Sequence, residues 1–286
     1  MRTMIILLLS LLFPLSAHAE TKPKIIASFS IIGDMAREIA GDNIELKILV
    51  GANGDAHEYE PTPNDAKNIA NADLVLINGL NLEGWIEKLI KSSDYKGAVV
   101  IVSKGSKYIK NDPHAWQNLA NGKIYVENIR DSLAKIDKAH AQEYQNNAAN
   151  YINKLDELDS WVKSEIDKIP PEKRNVISTH DAFQYFANAY NINFIAPIGI
   201  STQAQASAAD LARLIDQIRA KKITTVFLEN MSDSRLMKQL EKDAGARIGG
   251  TLYSDSLSAE NEAAPTYIEM FRHNVQELIK AMQYEK

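Results

Sequence analysis

Residues 175–181, Asn-Val-Ile-Ser-Thr-His-Asp, decide how this chain folds. Val176 and Ile177 are β-branched with no polar alternation, the mark of a short strand buried on both faces. Ser178 and Thr179 end the run, and His180 follows directly. A helical pattern then begins at Asp181, where Thr179 or Asp181 can serve the helix start. A strand that hands over to a helix within a few residues is the first half of a βαβ crossover. The carboxyl ends of such parallel strands open into the crevice where ligands bind. A histidine at that point is a candidate binding residue.

The same alternation continues on both sides. Strand patterns in the second half lie at Asn175–Ser178, Ile192–Ala196, Thr224–Leu228 and Arg247–Tyr253, with helical patterns at Asp181–Tyr190, Ser207–Lys221, Ser232–Asp243 and Pro265–Met282. In the first half the strands are Lys24–Ser28, Glu45–Val50, Asp73–Ile77 and Ala98–Val102, and the helices Ile31–Ala40, Asp65–Asn71 and Leu82–Lys91. From Asn118 the strand signals stop. Between Gln142 and Lys168, residues Tyr151, Leu155, Leu158, Trp161, Val162 and Ile166 recur near helical spacing, until Pro170-Pro171 ends the run. The expected architecture is α/β: two lobes, each a mostly parallel four-stranded sheet flanked by helices, joined by one long rigid helix. The boundaries read as 20–139 for the first lobe, 140–169 for the linking helix and 170–286 for the second lobe.

Composition narrows the function. At 286 residues, 45% hydrophobic and 24% charged, the chain has ample apolar material for a core. A formal net charge of −5 and the lack of any basic face exclude a nucleic-acid binder. Arg2, the apolar run Met4–Leu15 and the small-x-small triplet Ala17-His18-Ala19 read as a secretion signal (residues 1–19) cleaved near Ala19. That run is too short to span a bilayer. The sequence has no cysteine, so neither disulfides nor a lipid-modified cysteine is expected. The expected product is a periplasmic monomer without a membrane anchor.

Three more residues share the position of His180. His57 follows the second strand in a loop carrying Gly51, Gly54, Pro61 and Pro63; His114 follows the fourth in Asp112-Pro113-His114; Asp255 follows Gly249-Gly250-Thr251-Leu252-Tyr253. Each alone has an ordinary reading: a loop histidine, a satisfied core histidine, a turn or capping aspartate. Together they are harder to dismiss. Of six histidines, His18 falls in the leader, and three of the remaining five stand at strand ends. His140 and His273 fall inside helical patterns with polar neighbours and read as solvated.

Three imidazoles and a carboxylate suit a divalent transition metal: imidazole favours zinc and its neighbours, and carboxylate widens tolerance toward manganese. Acids such as Glu58, Asp112 or Glu229 could orient the imidazoles, or are simply exposed charges. No GxSxG, Walker-type or HExxH pattern occurs, and no catalytic residue is assigned. Two other readings stay open. A secreted metal-dependent hydrolase would keep only three protein ligands and an open position; an adhesin or interaction module would need no metal.

At these residues the chain resembles the TroA-like and ZnuA-like solute-binding proteins of zinc and manganese ABC transporters. The resemblance rests on HEYEPTPND from His57, DPHAW around His114, STHDAFQYFANAY around His180, GISTQAQAS from Gly199 and GGTLYSDSLS around Asp255, in that order. It implies a metal site in the cleft between the lobes, with His57, His114, His180 and Asp255 as ligands and small lobe movements on release. It also implies Zn2+ or Mn2+ as the transported substrate, and an inner-membrane permease with a cytoplasmic ATPase as partner. Manganese-dedicated members of the family usually carry glutamate where His180 stands, which argues for zinc. Zinc-dedicated members often carry a histidine- and acid-rich loop and a C-terminal disulfide. Here the loop is Ser103–Asn111 without histidine, and there is no cysteine, so both metals stay open.

Overall fold

A computed structural model describes residues 21–202, 207–221 and 223–283. The secretion signal read at residues 1–19 lies outside the described residues, as do 203–206 of the segment that starts at Gly199.

The first lobe is built from β1 (Lys24–Phe29), α1 (Ser30–Ala40), β2 (Glu45–Val50), α2 (Pro63–Ala70), β3 (Leu74–Ile77), α3 (Ile86–Ser92) and β4 (Ala98–Ile101). Two long helices follow, α4 (Leu119–Ile136) and α5 (Ala141–Asp167). The second lobe contains β5 (Asn175–Ile177), α6 (Gln184–Tyr190), β6 (Asn193–Ile195), α7 (Ala208–Lys221), β7 (Thr225–Glu229), α8 (Arg235–Ala244), β8 (Arg247–Leu252) and α9 (Tyr267–Gln283). All pairings are parallel, in the orders β2-β1-β3-β4 and β6-β5-β7-β8. The two sheets therefore share one topology, with the strand order reversing between β1 and β3 and between β5 and β7.

The expected α/β architecture with two four-stranded parallel sheets is what the chain adopts. Its middle differs. The 27 residues of α5 match the expected long helix, but the 18-residue α4 precedes it and packs along it. Gly122, two asparagines and an aspartate dilute the α4 signal, although Leu119, Tyr125, Val126, Ile129 and Leu133 share one buried face. The long helix between the sheets is α5, which also packs on α6 and α9, while α4 lies along it and on α1 of the first lobe.

Nor is α5 a bare strut. One apolar cluster runs from Ile25, Phe29 and Leu76 through Tyr144, Leu155 and Leu158 to Phe186, Phe227 and Leu252, joining both sheets to α5 and α9. Fully burying each such side chain stabilises the fold by roughly 1.5–3 kcal/mol.

One local feature aims the second sheet at the cleft. Between β7 and β8 the register slips, from Val226↔Ile248 to Leu228↔Thr251 and Glu229↔Leu252. The slip falls at Gly249-Gly250. A Cβ at Gly249 would sit 2.2 Å from Thr225, and Gly250 holds φ +149. Only glycine accommodates that approach and that backbone. The extra residue sets Glu229 beside Leu252, just ahead of Ser254 and Asp255.

A candidate metal centre between the two sheets

Two loops of the first sheet use one device. In Asp55-Ala56-His57 the Asp55 carboxylate accepts the His57 backbone N–H at 2.8 Å, and in Asp112-Pro113-His114 Asp112 does the same for His114 at 2.9 Å. Each turn swings its histidine inward. Trp85 Nε1 donates to the Ala56 carbonyl at 2.8 Å, and Asn78 Nδ2 to the Pro113 carbonyl at 3.0 Å, which ties both loops to the first lobe.

His180 is fixed from the second sheet. Glu229, at the end of β7, accepts the backbone N–H groups of Thr179 at 2.8 Å and His180 at 3.0 Å through Oε1. Its Oε2 takes the His180 Nδ1 proton at 2.6 Å and the Ser254 hydroxyl at 2.6 Å. Asp112 Oδ1 likewise faces His114 Nδ1 at 2.7 Å. A carboxylate on Nδ1 selects the tautomer that keeps the Nε2 lone pair free.

Those free nitrogens converge. His57 Nε2 lies 3.2 Å from His114 Nε2 and 3.3 Å from Asp255 Oδ2; His180 Nε2 is 3.1 Å from Asp255 Oδ2, and His114 Nε2 is 3.5 Å from Asp255 Oδ1. All four donor atoms fall within 4.8 Å of one another. Four separations of 3.1–3.5 Å match the roughly 3.3 Å edge of a tetrahedron with metal bonds of about 2.0–2.1 Å. The structure brings together all four residues singled out from the sequence. Of the three nearby acids, Asp112 and Glu229 are buried against imidazoles, while Glu58 is exposed.

Electrostatics favour positive charge there. Asp255 is fully buried, yet neither carboxylate oxygen has a hydrogen-bond partner, nor does His180 Nε2. The contact between them has ion-pair distance without hydrogen-bond geometry. Burial alone would favour neutral forms. Against it, the His114 and His180 charges hold Asp255 well below the usual carboxylate range. Burial likewise opposes a charge on His114, but Asp255 and the bond to Asp112 leave its pKa raised; Glu229 and Asp255 raise His180 further. Three carboxylates around three imidazoles can hold a positive charge, as protons or as a metal ion. With a dication and neutral imidazoles the cluster would carry about −1.

The other two histidines stand apart, and neither is simply solvated. His140 immediately precedes α5 with Nδ1 2.8 Å from Asp137, because the turn between α4 and α5 faces it toward that carboxylate. His273 reaches the Thr251 carbonyl at 2.9 Å and sits edge-on to Tyr253, since α9 packs on β8. Trp116, a core residue, also borders the centre: its ring lies 5.3 Å from that of His114, and its Nε1 donates to the Ser254 carbonyl at 2.9 Å. Ser254, Trp116 and Gln117 were not legible as site residues. The repeated Asp-x-His spacing was the available signal for Asp112.

The family model of the periplasmic zinc-uptake complex component A, ZnuA, matches residues 25–281. The chain belongs to the ZnuA family. It is similar to the iron-binding protein YfeA of Yersinia pestis, at 36% identity over 286 residues, covering 95% of this chain and 92% of YfeA. It is 34% identical over 282 residues to the manganese ABC transporter substrate-binding lipoprotein PsaA of Streptococcus pneumoniae, covering 93% and 91% of the two chains. The solved structure of the periplasmic zinc-binding protein TroA from Treponema pallidum superposes with a TM-score of 0.88 at 29% identity, covering 92% of this chain and 100% of that one. Among the described residues, no helix is long and apolar enough to cross a membrane.

Proposed function

We propose that this member of the ZnuA family is a solute-binding protein that captures one divalent transition-metal ion and delivers it to an ABC permease for import. His57, His114, His180 and Asp255 are the ligands, and Asp112 and Glu229 hold two of the imidazoles in place. The observation that carries this reading is the fully buried carboxylate of Asp255, without a hydrogen bond, facing three imidazole nitrogens. The relatives named above carry iron, manganese or zinc in their names. Three nitrogens and a carboxylate suit zinc or manganese as the cargo.

Four protein donors close the site, which disfavours a hydrolase needing a free position for water. An adhesin would not require a buried charge cluster. Residues 20–139 and 170–286 form the two lobes in this reading, with 140–169 between them. The protein works outside the cytoplasm beside an inner-membrane permease and its ATPase. In this reading a leader is cleaved near Ala19, and the chain works in the periplasm as a monomer; with no cysteine among its 286 residues it offers no thiol for lipid attachment, unlike the lipoprotein PsaA.

Competitive titration of metal-free protein with zinc and manganese, paired with metal uptake by cells lacking the gene, tests the proposal. One ion per chain and reduced uptake of that metal are expected. Uptake unchanged for both metals would reject it.

A further inference from the structure

The chain around Asp255 is sewn to the first lobe although it follows β8 of the second sheet. Trp116 Nε1 and Gln117 Nε2 both donate to the Ser254 carbonyl, at 2.9 and 2.6 Å. The Leu257 N–H donates to Ser30 Oγ at 2.9 Å, its carbonyl accepts from Asn53 N at 2.9 Å, and Tyr267 N donates to buried Asp34 at 2.8 Å. Ser254 also donates to Glu229 at 2.6 Å, so Asp255 sits at the seam, tied to both lobes, whereas His57 and His114 stand on the first lobe. His180, held by Glu229, stands on the other.

Asn230 directly follows Glu229, and its backbone N–H pairs with the Leu252 carbonyl at 3.1 Å. Its side-chain amide reaches out from there. Nδ2 donates to Asn53 Oδ1 at 2.8 Å and to Ser256 Oγ at 2.9 Å. Asn53 belongs to the His57 loop, holds a left-handed φ of 56, and also donates to Glu262 at 2.9 Å. Asn230 Oδ1 is buried with no partner, so the amide is placed for its donors alone.

We propose that Asn230 is a positioning residue, a latch that ties the β7 end holding His180 to the His57 loop of the first lobe and sets how fast metal leaves. The proposal rests on the metal-binding reading above. The latch touches no ligand atom, so it acts on the dissociation of a formed site more than on its assembly. Each hydrogen bond is modest and partly wet, and losing both costs about fivefold in release rate.

The test is chelator-triggered zinc release from the full chain, followed by stopped-flow fluorescence. Asn230→Ala and Asn53→Gly remove the two ends; glycine keeps the left-handed backbone at position 53. Asn230→Ala should release zinc about fivefold faster and Asn53→Gly, which keeps the bond to Ser256, about twofold faster, each with an association rate close to wild type. The double variant should be no faster than the faster single one. Release unchanged in both single variants would overturn the latch, as would single accelerations that multiply in the double. Should Asn230→Ala fold poorly, Asn53→Gly on its exposed loop decides alone. A wild type that holds no zinc would instead remove the metal reading itself.

Discussion

His180 Nδ1–H donates to Glu229 Oε2 at 2.6 Å, and its Nε2 faces Asp255 Oδ2 at 3.1 Å. The same Glu229 also accepts two backbone N–H groups and the Ser254 hydroxyl, so one carboxylate fixes both the strand end and the ring it carries. Glu229→Gln removes the negative charge and mismatches at least one donor. Metal affinity should fall by about 10–100-fold, with stoichiometry unchanged, in competition titrations against a chelator of known strength. Affinity equal to wild type would mean that Glu229 is only structural.

Substituting His57, His114 or His180 by Ala should abolish tight binding, whereas His140→Ala should leave affinity intact. A ligating imidazole must be neutral, so protons compete with metal. Because the His114 and His180 pKa values are raised in the metal-free fold, affinity should begin to fall above pH 6.5 and keep falling as the solution is acidified. Titrations between pH 5 and 8 check this, and equal affinity across the range would count against histidine ligation.

Asp34 offers a separate pH signal away from the centre. Burial pushes its carboxyl up to about 7, against the lowering effect of the Tyr267 N–H, with Glu38 adding to the rise. In the unfolded chain it releases its proton near pH 4. Between those values the folded state holds more protons, so its contribution to stability is full below about pH 4 and is lost as pH rises toward 7. The loss is on the order of 4 kcal/mol. Metal-free Asp34→Asn should show a flatter pH–stability curve than wild type over this window in urea titrations.

Leu158 on α5 is fully buried in the cluster that joins both sheets. Leu158→Ala should cost roughly 2–5 kcal/mol. Calorimetry of the metal-free protein should show one transition shifted downward as a whole, since the lobes share this core. Two separated transitions, only one of them moved, would show that the lobes fold independently.

Much of this was legible in the residues because it is local. Short runs rich in Val, Ile and Leu marked most of the strands, and the four site residues stood where parallel strands end. The α4 helix was missed because Gly122 and its asparagines blur a periodicity that tertiary packing enforces. The loop at Glu83 shortened α3, since that buried carboxylate takes the Asn78 and Gly79 backbone N–H groups and the Ser28 hydroxyl in a turn. Which acids serve the imidazoles was open, as was the sewing of Ser254 to Trp116 and Gln117. Those contacts join residues 49 to 138 positions apart, and nothing in a local pattern records them.

The most direct measurement is an anomalous-scattering map from crystals of chelator-stripped, zinc-reloaded protein, collected at the zinc edge. One strong peak per chain is expected, within about 2.0–2.2 Å of Nε2 of His57, His114 and His180 and of an Asp255 carboxylate oxygen. A map with no peak there, or with its zinc bound elsewhere on the surface, would contradict a metal held between the two sheets.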